Sequence, residues 1–184
     1  MKNLSNLSKA LAAVERLQAD ISEHQDLQPV WEARENEVLA TADVRDDAAL
    51  AEVGKLRLRL EILPRKITVL ENQLATAAEN LRREVAAGFA VLNPLQRERA
   101  DALKALIHKQ LTPVLTAGVD MDRAVAEAYH GNELAHQIER AGMSSEFSTR
   151  AGVEGADLDQ ALTVARRMLA NYDALVGIAI PAKL

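Results

Sequence analysis

The chain has 184 residues and a formal net charge of −5; 48% of its residues are hydrophobic but only 3% are aromatic. It contains no cysteine, which excludes disulfides, zinc–thiolate and iron–sulfur centres and thiol nucleophiles. Ala, Leu and Val carry the apolar content, a profile suited to layers between helices rather than to a sheet core.

The first helix is expected from about Leu4 to Ala42, with apolar positions at Leu7, Leu11, Val14, Leu17, Ile21, Leu27 and Trp31. Its N-terminal part is amphipathic and charged, without a signal-type apolar core. Pro29 falls inside it, where a proline removes a hydrogen bond and crowds the preceding turn; because the register survives the proline, a kink or short local break is expected. Asp43 is read as the cap of a second helix, with Asp46 and Asp47 bringing negative charge to its first turn. That helix runs to about Leu92 with Pro64 inside it, and its seam is Val53, Leu56, Leu60, Leu63, Ile67, Leu70, Leu74, Ala77 and Leu81, in steps of three and four.

The two seams mirror one another: Leu7 faces Leu81, Ile21 faces Ile67, His24 faces Leu63, Trp31 faces Leu56 and Glu35 faces Val53. Leu4 with Val85 and Val38 with Leu50 extend the match. Such a reversed register is that of an antiparallel coiled-coil hairpin. Charge follows the same plan. Residues 1–43 carry four Lys/Arg against eight Asp/Glu, residues 44–119 twelve against nine, and residues 120–184 six against ten. Arg57, Arg59 and Lys66 on the second helix therefore meet Glu32, Asp26 and Glu23 on the first. Exposed pairs of this kind contribute about 0.2–1 kcal/mol each, enough to bias orientation.

Asn93-Pro94-Leu95-Gln96 has the form of a new helix start, with Asn as cap, Pro at the first position and Gln reaching back. It opens a third helix that ends before Gly118. Asp120 caps a fourth, reaching Gly142, which His130-Gly131-Asn132 is placed to split. Residues 143–156 are rich in Ser and Gly and read as a loop. Asp157 caps a fifth, with Leu158, Leu162, Ala165, Met168, Leu169, Tyr172, Leu175 and Val176, and an apolar tail follows from Gly177. No strand pattern appears. The expected architecture is all-α: an antiparallel coiled-coil helical hairpin over 1–92, then a three-helix region over 93–184 that packs by itself or on the hairpin.

Leu58, Ile62 and Val69 lie off the main seam, as does Val30 opposite Leu58. A two-helix hairpin leaves such residues wet, so they are covered by the later helices, by a second copy, or by a partner.

Candidate chemistry is sparse. Glu127/His130 and Glu133/His136 share the Glu-x-x-His spacing of di-iron bundles, but those need the motif on two different helices. Glu133 and His136 remain as weak metal candidates beside the simpler reading of a solvated polar face. His24 in the seam is either a pH-sensitive group or a side chain whose nitrogens reach solvent. Arg82, Arg83, Arg97 and Arg99 form a basic cluster that a nucleic acid would use, against an acidic chain with no aromatic platform. There is no Gly-x-Ser-x-Gly and no phosphate loop, and no run of roughly 20 apolar residues that would span a bilayer.

The expectation is a cytoplasmic, non-enzymatic interaction or scaffold protein without cofactor, acting through self-association or a protein partner. Its surface is expected at Leu58, Ile62, Val69, Tyr172, Leu175, Ile178 and Ile180. The alternatives are a small nucleic-acid-binding regulator using the arginine cluster and, more remotely, a metal-dependent helical-bundle enzyme.

Overall fold

A computed structural model describes residues 4–43, 45–114, 120–142 and 156–183. Among these residues there are five helices and no strand: α1 (Ser5–Thr41), α2 (Asp47–Leu111), α3 (Met121–His130), α4 (Glu133–Arg140) and α5 (Leu158–Gly177). The fold is all-α, with α1 and α2 forming a long antiparallel hairpin and α3 to α5 a small C-terminal bundle. No described helix is long and apolar enough to cross a membrane.

The helix starts follow local side-chain chemistry, with one shift from expectation. Asp46, not Asp43, caps α2: its Oδ1 accepts from the backbone N–H of Ala48 and Ala49 at 3.0 and 3.1 Å. Asp43 instead accepts from Arg45 N–H at 3.0 Å, closing the turn ahead of the cap. Asp120, Asn132 and Asp157 cap α3, α4 and α5 by accepting from the N–H of Arg123, Leu134 and Gln160. The split at His130-Gly131-Asn132 is observed. Of the expected loop over 143–156 all but Ala156 lies outside the described residues, as do residues 115–119.

The helix start at Asn93 is corrected, because α2 continues through Asn93-Pro94 to Leu111. Leu81, Val85, Phe89, Leu92, Leu103 and Ile107 form one buried stripe across that point. A stripe that keeps its phase favours an uninterrupted helix. The bond lost because Pro94 has no N–H is a local cost at an exposed position. Pro29 and Pro64 are likewise exposed and lie within α1 and α2.

The chain divides into two compact units, Ala12–Asn80 and Met1–Leu11 with Leu81–Leu184. In Ala12–Asn80 the seam is Val14, Ile21 and Val38 from α1 with Val53, Leu56, Leu63 and Leu70 from α2, all buried. Leu50 departs from expectation: it is exposed near the turn although its expected partner Val38 is buried. Cross-helix polar contacts flank the seam. Arg57 Nε donates to Glu35 at 2.7 Å and Arg34 Nε to Glu52 at 2.8 Å. Arg57 thus takes the half-buried seam glutamate rather than the outer acids. Arg59 lies over the half-buried Trp31 ring, its guanidinium carbon 5.6 Å from the ring centroid. His24 Nδ1–H donates to its own helix at Asp20 O, 2.6 Å away.

In the other unit, Leu4, Leu7 and Leu11 of the chain start pack with the buried stripe of α2, and α3 to α5 add Tyr129, Ile138, Leu162, Met168 and Leu175 to the core. A Cβ on Gly88 would collide with Met168 Sδ, so glycine there lets α2 and α5 approach closely. Gln96 Nε2–H donates to Ile138 O at 3.3 Å and Asn171 Nδ2–H to Gly142 O at 3.4 Å, tying the helices together beyond their apolar contacts.

Candidate interaction surface

In Ala12–Asn80, α2 presents its seam at Leu56, Leu63 and Leu70. Leu58, Ile62 and Val69, separated by four and seven residues, share the opposite face of the same helix. The three remain 57%, 52% and 49% exposed, and Val30 of α1 is 60% exposed. Among the described residues of Ala12–Asn80, none covers them. Within Ala12–Asn80 itself the two arms leave this face open; the later helices belong to the other compact unit. Arg65 sits on the same face between Ile62 and Val69 and pairs with Glu61 at 3.0 Å. Leu39 and Leu50, at the turn end of this unit, are exposed as well.

The expected C-terminal part of the surface is not one face. Leu175 is fully buried, whereas Tyr172, Ile178 and Ile180 are half-buried. Leu175 continues the inward stripe Ala161, Ala165 and Met168 at helical spacing, and this is what removes it from the surface set. Its neighbour Val176, one residue and about 100° further round, is exposed. Residues 178–183 form neither helix nor strand.

The arginine cluster is dispersed by the fold. Arg82 Nε donates to Ala156 O at 3.0 Å; Arg83 and Arg97 are exposed; and Arg99 is half-buried with its Nε shielded from water. The metal candidates are equally spread. Glu127 pairs with Arg123 at 2.9 Å, Glu133 is exposed in the first turn of α4, and His136 Nδ1 stands 4.0 Å from Glu139 Oε2. Among the described residues no group of three or more His, Asp or Glu is placed to share an ion.

Among the described residues two groups have shifted titration. Arg34 is held above its ordinary value by hydrogen bonds to Glu52 and Glu37 and by their charge. Burial, with the charges of Glu139 and Asp101, pushes the Tyr129 hydroxyl above its ordinary value near 10. Lys104 Nζ lies 5.0 Å from the Tyr129 ring centroid. Both groups belong to structural contacts.

Sequence reasoning missed a groove in the unit containing Leu81–Leu184, lined by Pro94, Leu95, Arg99, Tyr172 and Val176 among others. Its walls are more than seventy residues apart in the chain, and no periodicity along one helix reveals such a pairing. Comparison of the chain with protein families, with curated proteins and with solved structures finds no match.

Proposed function

We propose that this chain is a non-enzymatic interaction protein whose hairpin presents Leu58, Ile62 and Val69, with Val30 beside them, for self-association or for a protein partner. The observation that supports this reading is the combination of phase and exposure. Three large aliphatic side chains stand half in water on the face opposite a buried seam. Scattered exposed leucines are ordinary on a protein surface, whereas large apolar residues recurring on one helix face have the form of an association surface. A second helix laid along it, in coiled-coil fashion, would bury them together.

The test is absolute mass in solution, by light scattering behind a size-exclusion column across a dilution series. The wild-type chain is expected above its monomer mass of 20.0 kDa. Leu58→Glu with Ile62→Glu is expected to return it to the monomer with helicity unchanged. Assembly that survives both charges excludes this face. A wild-type mass of 20.0 kDa at every concentration excludes self-assembly as the role.

A further inference from the structure

Among the described residues one buried side-chain donor has no acceptor, the Nε–H of Arg99. No hydrogen bond or ion pair engages the rest of its guanidinium. The Nε edge is thus shielded and unsatisfied, which is unfavourable, while the residue as a whole is only half-buried and keeps part of the guanidinium accessible. Arg99 also lines an open groove of about 490 Å³ between residues 90–99 of α2 and the last turns of α5, whose walls include Val91, Pro94, Leu95, Tyr172 and Val176. That volume falls within the roughly 300–1,000 Å³ range of small-molecule sites. Val176 is half exposed here, so the wall it forms is open to an occupant.

We propose that this groove binds a small amphipathic monocarboxylate of the medium-chain alkanoate kind. Its carboxylate sits on the Arg99 guanidinium and its apolar body lies along Val91, Leu95 and Val176. Two features select that chemistry. The planar guanidinium fork matches a carboxylate in shape and charge, and among the described residues no hydrogen bond or ion pair already occupies it. The exposed Glu98 also lines the groove, and its negative charge discriminates against ligands with a second charge, such as a phosphate dianion. The site is independent of the Leu58–Val69 surface, so failure of either proposal leaves the other standing.

The test is titration of the full chain with sodium decanoate, followed by calorimetry and by the arginine Nε–H resonances in nuclear magnetic resonance. Saturable one-to-one binding that moves the Arg99 Nε–H signal is expected. Arg99→Gln should weaken binding about tenfold or more, and decanol, with the same tail but no charge, should bind wild type no better than decanoate binds that variant. Glu98→Gln should tighten binding. Val176→Trp, at an exposed position that leaves the core intact, should fill the groove and abolish binding while circular dichroism stays unchanged. Absence of saturable decanoate binding below its micelle-forming concentration would overturn the proposal, as would equal affinities of wild type and Arg99→Gln or full binding by Val176→Trp.

Discussion

The two units use the same aliphatic side chains to opposite effect. Among the described residues, of the nine largest fully buried side chains only Val14 belongs to Ala12–Asn80, and of the eight large hydrophobic residues left exposed six do. The cause is the number of helices available. Two helices share one seam, and each keeps an outer face in water whatever residues it carries. Where α3, α4 and α5 join the packing, more of each helix is enclosed, and Leu81, Leu92 and Leu103 lose contact with water altogether. The same leucine is thus core or surface according to how many neighbours its helix has, not according to its hydrophobicity.

Substituting alanine at one leucine in each unit sets the sharpest contrast. Leu92→Ala removes a fully buried side chain and is expected to cost about 2–5 kcal/mol in urea unfolding, the cavity term included. Leu58→Ala, at an exposed helix position, is expected to stay within about 0.5 kcal/mol of wild type when both are unfolded as dilute monomers. Equal losses at the two sites would erase the distinction between the units.

A smaller effect concerns how the two-helix unit begins its second arm. Asp46→Ala removes the side chain that accepts from Ala48 and Ala49 and should cost about 0.5–2 kcal/mol. Asp43→Ala should cost less, because its single contact lies in the turn before the helix. The reverse order, read by thermal unfolding of both variants, would restore Asp43 as the cap.

The smallest effect belongs to the enclosed unit and is read through pH. Tyr129 is neutral in the folded chain and its folded value lies above its ordinary one. The unfolded chain therefore releases this proton at lower pH than the folded chain does. The stabilisation is complete below pH 10 and is lost as pH rises through the folded value. Tyr129→Phe should flatten that alkaline decline, as measured by denaturant unfolding at a series of pH values. An unchanged slope would show that Tyr129 does not set it.

How much the sequence revealed follows the same divide. The seam of Ala12–Asn80 was legible because a two-helix contact imposes one period on each partner, and Leu56, Leu63 and Leu70 carry it without interruption. At Asn93-Pro94 a good local start signal competed with a buried stripe that kept its phase, and tertiary burial prevailed. Leu175 and Val176 differ by one position, about 100° round α5, yet one is buried and the other exposed. The spacing Ala161, Ala165, Met168, Leu175 carries the inward direction, and grouping Leu175 with the exposed apolar tail overlooks it. Arg99 was read as one of four surface arginines; the groove that isolates it exists only once α5 folds against α2. Glu133 and His136 had the right spacing for a metal, but a short α4 places no third ligand beside them among the described residues.

Trp31, the chain's single tryptophan, lies half-buried under the Arg59 guanidinium within Ala12–Asn80. Tryptophan emission from this protein is therefore a local signal. It responds when the contact between the two arms opens, since the ring then loses both its partial shelter and the cation above it. It reports nothing directly of the helices that enclose Leu92 and Met168, whose nearby aromatic reporters are the tyrosines Tyr129 and Tyr172. Optical unfolding curves taken at tryptophan and tyrosine wavelengths thus watch different halves of the molecule, each labelled by its own native chromophore.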